Sequence, residues 1–426
     1  QLASRSSPAT SMTQLYVIDS DLQGLGIALP EPVQKPASAT RPLHVEVELD
    51  GGPNLTVRGS LGELRTVARL KRSNGAWSFD RAGIRGDGLA ASIPGHEGVR
   101  IEGDVERFVL DDWLALKGSG AAAGPGARRL SDYLKAANVR IGTFGLFGYA
   151  WSDVRGLLQA TPAGWQIDVA GPDATGKLLV PYELAGTAPM TLEMERLVLA
   201  SQGGGAGGPS TTDPRQVPPI QARINDFELG GRKLGSVRAQ IDRAPRGLAF
   251  TDVTAQSATF SAEAKGTWLA NDGTGAAARG IATDVGLTLT STDVQTTLKA
   301  PGYGDVVAGT RGLLQAKLSW PGGPDAQALG RASGSVHLEI DDGQVLDLQP
   351  GAGRMLGLLS VAALPRRLSL DFSDLTDQGL AFDSVRGDFE LKQGNAFTDN
   401  LLLTGPAADI GIAGRTGLGA RDYDQT

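Results

Sequence analysis

Apolar and polar residues alternate along most of this chain with a period of two. Val336, Leu338 and Ile340 alternate with His337 and Glu339, which puts an apolar face on one side of a strand and a wet face on the other. Leu368, Leu370 and Phe372 repeat that period further on. Asp342-Gly343 carries the positive-φ chemistry of a tight turn, so a hairpin is predicted just after Ile340. Near the N-terminus, Leu15 to Val17 and Leu22 to Leu29 read as short strands. Leu43, Val45, Val47 and Leu49 alternate with His44, Glu46 and Glu48, and Leu55-Thr56-Val57 returns after Asp50-Gly51-Gly52.

One unit recurs. Val154-Arg155-Gly156 begins a strand, Pro162-Ala163-Gly164 turns it, and Trp165-Gln166-Ile167-Asp168-Val169 runs back. Val237-Arg238-Ala239 with the Pro245-Arg246-Gly247 turn repeats the plan. So does Val385-Arg386-Gly387 with Gln393-Gly394-Asn395, and the hairpin from Leu64 through Asn74-Gly75 is a fourth copy. Val139 to Phe144 and Ala222 to Phe227 match as the strands upstream of two copies. A unit restated along a chain stacks on its neighbours instead of forming separate globules. Short helices are predicted at Asp111–Leu116, Leu130–Ala137, Thr292–Leu298 and Ala352–Ala363, and Ser201–Asp213 reads as a linker. Two architectures satisfy this pattern. Paired sheets would form a sandwich; one curled sheet would leave an apolar trough that must meet apolar cargo or a partner.

Composition narrows the picture. Gly is 59 of 426 residues, about twice the usual share, which suits many turns and short strands. The net charge of −7 argues against nucleic acid as a partner. No cysteine is present, so disulfides and thiolate metal sites are excluded. The longest apolar run, Leu356 to Leu364, is far short of the ~20 residues that cross a bilayer. The chain opens on Gln1 without a signal peptide and reads as a piece of a longer protein.

Candidate chemistry is sparse. Gly351-Ala352-Gly353-Arg354-Met355-Leu356-Gly357 outlines a dinucleotide fingerprint followed by Asp371, but its third glycine is one residue late and Pro350 sits in the turn. A Gly-rich entry to an amphipathic helix, with Met355, Leu358 and Leu359 packed inward, accounts for it. His44, His96 and His337 are too scattered for a metal site, and His44 and His337 fall on wet strand faces. Asp111-Asp112 and Asp341-Asp342 read as a helix start and a turn; Arg366-Arg367 reads as a solvated strand-edge pair. Trp77, Trp165 and Trp268 sit at strand ends as core packing. No catalytic or metal-binding residue and no cofactor is assigned, so the chain is read as a non-enzyme.

Leu346 through Ser360, Ala363 through Phe372 and Gly379 through Phe389 resemble the C-terminal part of the YhdP branch of the AsmA-like family of Gram-negative envelopes. Ser20-Asp21-Leu22-Gln23-Gly24, Asp213 through Pro218 and Leu318 through Pro324 are further matches. The resemblance implies a mainly β fold: a long curled, predominantly antiparallel sheet forming an open apolar groove, with a few short inserted helices. It implies phospholipid acyl chains as cargo between the inner and outer membranes. It also implies a periplasmic location, an inner-membrane anchor outside this sequence, and contact with the outer membrane. Three segments are expected, 1–117, 118–205 and 206–426. In the first two, the groove lining is expected to include Val45, Val47, Leu49 and Ile167. In the third it is expected to include Val237, Ile241, Val336, Leu338 and Ile340, then Leu368, Leu370, Phe372, Ile410 and Ile412. The alternative is a structural β-rich envelope protein with a closed core and no cargo.

Overall fold

The computed structural model describes residues 2–6, 13–49, 51–73, 75–113, 130–146, 149–200, 212–272, 279–299, 306–324, 328–346, 380–417 and 422–425. The protein is mainly β, and the chain divides into two compact units, Gln1–Leu146 with Ala150–Tyr182, and Phe147–Tyr149 with Glu183–Thr426.

The first unit holds β1 (Leu2–Ser6), β2 (Gln14–Ser20), β3 (Leu43–Leu49), β4 (Asn54–Leu61), β5 (Leu64–Ser73), β6 (Ala76–Arg85) and β7 (Gly98–Val109). A single helical turn, α1 (Leu130–Tyr133), then leads into β8 (Leu134–Leu146), β9 (Tyr149–Thr161), β10 (Gly164–Ala170) and β11 (Ala174–Val180). From β1 to β6 each strand pairs antiparallel with the next. β6–β7 and β7–β8 are parallel, each reached by a longer connection that returns the chain to the same end.

The second unit runs β12 (Met190–Leu199), β13 (Ile220–Leu229), β14 (Arg232–Ala244), β15 (Gly247–Gln256), β16 (Phe260–Asp272) and β17 (Arg279–Ser291). Helix α2 (Val294–Lys299) precedes β18 (Val307–Pro321), β19 (Ser333–Val345), β20 (Leu380–Lys392), β21 (Asn395–Thr404), β22 (Asp409–Gly417) and β23 (Asp422–Gln425). Among the described residues only β12–β13 is parallel here. Among the described residues no ladder joins β23 back to β12, so this sheet is not closed. Two 3-10 turns, Pro214–Gln216 and Ala328–Arg331, complete the unit.

All four repeated hairpins form: β5–β6, β9–β10, β14–β15 and β20–β21. At the last, Gln393 and Gly394 take φ of 49° and 77°, the left-handed pair that a two-residue hairpin requires. The helix expected over Thr292–Leu298 is α2, displaced slightly. Other expectations are corrected. Leu130–Ala137 is helical only to Tyr133, because Ala136, Ala137 and Val139 are claimed by the parallel ladder to β7. Leu22 to Leu29 forms turns and one isolated bridge, Ile27 to Lys35, instead of a strand. Asp342-Gly343 does not close a hairpin. Asp342 has the left-handed φ of 47°, but β19 continues through it, paired on both sides with unchanged register. Trp77 is 37% exposed beneath the Arg72 guanidinium and is not core. The helix over Ala352–Ala363, the strand Leu368–Phe372 and the Arg366-Arg367 pair lie outside the described residues.

Glycines permit the tight bending of the second sheet. A Cβ on Gly266 would collide with the carbonyl oxygen of Asp284, and one on Gly334 with that of Lys317; Gly334 also holds φ of +144°. Side-chain-free positions of this kind let a strand coil towards one face. Gly334→Ala should therefore lower stability by about 1–3 kcal/mol. Gly411→Ala, where a Cβ meets nothing within 4 Å, should be near neutral. Denaturant midpoints of the two variants check this.

Candidate functional site

Strand register turns local alternation into a surface. In the second unit, directly paired residues form rows across β12 to β19. One row reads Met194, Ile224, Val237, Ala255, Ala262, Leu289, Leu314, Leu338. The next reads Leu192, Ala222, Ala239, Val253, Ala264, Leu287, Ala316, Val336, and continues to Phe389 on β20. A third reads Met190, Ile220, Ile241, Phe250, Gly266, Val285, Leu318, Gly334, Leu391. None of these positions carries a polar side chain. The opposite face reads Glu193, Arg223, Arg238, Thr254, Glu263, Thr288, Gln315, His337, Asp388.

Short elements cover the two margins of this apolar floor. At one margin α2 lays Val294 and Leu298 against Ile340, Val345, Phe382, Val385, Leu401, Leu403 and Ile412. Gly309 and Gly312 make room: a Cβ on either would press on Val294. At the other margin the turn at Pro214–Gln216 brings Val217 onto Leu248 and Trp268, and Ala332 closes on Leu391 and Ala396. Between the margins Val285, Leu287, Leu289 and Leu314 are half-buried, while Met194, Ala222, Ile224, Val237 and Ala316 in the same rows are buried, and Leu318, Val336 and Leu338 pack against the margin clusters. Such a floor can bind hydrocarbon through burial and dispersion, and it offers no group for acid–base, nucleophilic or metal chemistry.

The first unit repeats the device. Tyr16, Val47, Val57, Ala68, Ala82 and Val99 share a row, as do Leu49, Leu55, Leu70 and Phe79. Val45 pairs with Ile18, and Ile167 with Leu158 and Leu178. Tyr16 and Ile18 are exposed by 40% and 45%.

The expected lining residues can now be placed. Val45, Val47 and Leu49 share one face in the first unit, and Ile167 sits within an apolar cross-strand triplet. Val237, Ile241, Val336 and Leu338 lie on the floor of the second. Ile340 and Ile412 lie on the same face but inside the cluster under α2, and Ile410 packs against that cluster. Leu368, Leu370 and Phe372 fall outside the described residues. The sequence reading missed Leu287, Leu289 and Leu314, although Val285 to Leu289 alternates as cleanly as Val336 to Ile340.

The model of the YhdP protein family matches residues 6–426. The chain belongs to the YhdP family. It is 26% identical over 423 residues to the intermembrane phospholipid transporter YhdP of Escherichia coli (strain K12), covering 96% of this chain and 32% of that protein. The chain thus spans about a third of the length of the curated relative it matches. No solved structure matches it.

In this YhdP-family chain each unit has a strand histidine held between carboxylates on its wet face. His337 Nδ1 lies 2.8 Å from Asp388 Oδ1 and Nε2 lies 3.3 Å from Glu339 Oε1; Asn400 Nδ2 donates to Asp388 Oδ2 at 2.9 Å. His44 repeats the arrangement with Asp19 at 2.6 Å and Glu46 at 3.3 Å. The hydrogen bond to Asp388, then that to Glu339, raises the His337 pKa above its ordinary value; Asp19 and then Glu46 do the same for His44. His337 and then Asn400 hold Asp388 below the usual carboxylate value. These pairs are exposed, so they tune surface charge more than stability.

The sign follows from linkage. A raised histidine pKa contributes stability that is full below the unfolded value and is lost as pH rises through the folded one. The lowered Asp388 contributes above its unfolded value and is lost as pH falls through the folded one. NMR titration should place the His337 and His44 midpoints above 6.5, the ordinary value. Asp388→Asn should return the His337 midpoint towards that value while leaving His44 unchanged.

Proposed function

We propose that this chain is part of a periplasmic bridge that carries phospholipid acyl chains along its apolar floor between the inner and outer membranes. An anchor to the inner membrane and a contact with the outer membrane belong to this reading as features of the whole protein. The observation that carries it is the run of paired rows from β12 to β19 without one polar side chain, half-buried at Val285, Leu287, Leu289 and Leu314. The similarity to a phospholipid transporter supports the same reading.

The physical case is one of solvation. Exposing an acyl chain to water costs about 0.8 kcal/mol per CH₂, so a two-chain lipid of ordinary length faces roughly 20 kcal/mol or more against free diffusion. A floor that covers the tails and leaves the head group in water removes most of that cost. Strands lie ~4.8 Å apart, so β12 to β20 offers about 40 Å of such surface. Because adjacent rows are similarly aliphatic, one step exchanges burial for like burial, and no deep well holds a lipid in place. The protein then acts as a conduit, with no bond made or broken and no cofactor required.

One observation favours the alternative of a structural sheet with a closed core: around Ile340, Leu403 and Ile412, α2 fills the space with protein. The two readings separate on the middle rows. Leu314→Asp and Leu338→Asp place a charge on the floor and should lower co-purifying phospholipid about tenfold or more, since a carboxylate is costly beside hydrocarbon. Gln315→Asp, one residue away on the wet face, should leave it unchanged. Native mass spectrometry of the purified protein reads the outcome, and unmodified protein that carries no lipid would sink the conduit.

A further inference from the structure

The open part of the second unit's floor has an end. Followed from β17 towards β22, each of its three rows meets a cover on β20. The first row passes from Leu314 and Leu338 to Gly387. A Cβ on Gly387 would stand 2.8 Å from both Cα and Cδ1 of Leu401, so that leucine of β21 lies over the position, and it is itself buried. The third row passes from Leu318 and Gly334 to Leu391, which is buried beside Ala332 and Ala396. The chain leaving the Ala328–Arg331 turn is tied down there. Gly394 N–H donates to the Ala332 carbonyl at 2.8 Å, and Gln393 N–H donates to Ser333 Oγ at 3.1 Å.

The middle row ends on Phe389, the cross-strand partner of Val336. Its ring packs against the cluster under α2 and also against the cluster around Ala332 and Leu391. Among the described residues it is the one side chain that packs against both. The covers of the two margins, separate on either side of Val285, Leu287, Leu289 and Leu314, therefore meet at this ring. Phe389 is half-buried, so part of it remains open to what lies on the floor. Past β20 the same face is core: Leu401, Leu403 and Ile412 are buried, and Ile410 packs against them.

We infer that Phe389 is the stop of the lipid floor: acyl tails lie against β16 to β18, end at its ring, and do not run on over β21 and β22. This rests on the lipid-carrying reading and adds to it where on this chain a tail ends. The dimensions agree. The hydrocarbon core of a bilayer is about 30 Å thick, so one tail reaches about 15 Å. Three strand spacings of ~4.8 Å separate β17 from β20, about 14 Å in all. A tail laid across the strands from β17 is thus about as long as the run to Phe389. Passage beyond β20 requires the ring to leave the junction. Cutting the ring back leaves a gap there, because packed surroundings collapse only in part.

A phosphatidylcholine with a diazirine at the end of one acyl chain tests this. It is loaded into the purified full chain and activated by light, and peptide mass spectrometry locates the adducts. In the unmodified protein, adducts on residues 285–289 and 314 should exceed those on 401–412 several-fold. Phe389→Ala should raise adducts on 401–412 several-fold. Phe389→Leu, which keeps the junction apolar and spares the fold if the alanine does not, should raise them by a smaller factor. Equal adduct density on the two segments of the unmodified protein, or no rise in the folded variants, overturns the stop and leaves the lipid-carrying reading in place. No adduct on β16 to β18 of the unmodified protein sinks that reading, and the stop falls with it.

Discussion

The strand-to-strand hydrogen-bond ladder is the constraint on which this protein depends. Alternation within a strand gives each strand two faces, but only register makes neighbouring faces agree. A slip of one residue between β17 and β18 would set Leu287 and Leu289 against Gln315 and Lys317 and send half the floor to the wet side. Bulges protect the agreement where the sequence breaks parity. Phe250 is an odd number of residues from Val253, yet both reach the floor because the ladder skips between them. The irregularity between Phe79 and Arg81 does the same for Phe79 and Ala82.

A sheet so built is incomplete as a folding unit. Ordinary sheets bury the apolar face against a second layer. Here short pieces do that work at the margins, six residues of α2 on one side and single 3-10 turns on the other. Part of the middle rows, at Val285, Leu287, Leu289 and Leu314, keeps partial exposure. The covered margins stabilise the sheet by burying apolar surface.

The wet face has a different task. Charges of both signs lie on it, and each unit carries one histidine–carboxylate set there, at His44 and at His337. Such a surface resists association between sheets. Among the described residues it has no cluster that could hold a metal ion.

The order of residues by itself determined many of the strands, though not the one expected over Leu22 to Leu29, together with the four repeated hairpins, the one-sided alternation of strands such as Leu43–Leu49 and the family. All of these rest on contacts between residues near in sequence or on motifs read directly. Tertiary structure decided which strands pair in parallel, where Leu130–Ala137 stops being a helix, and that Asp342-Gly343 lies within β19 instead of ending it. It also decided that Ile340 and Ile412 sit under α2, with Leu338 packed against them, while Leu314 stays half-buried. The physical reason is that local alternation is indifferent to partner. Which neighbour a strand pairs with, in what register, and which distant helix covers it are fixed by contacts between residues far apart in the chain.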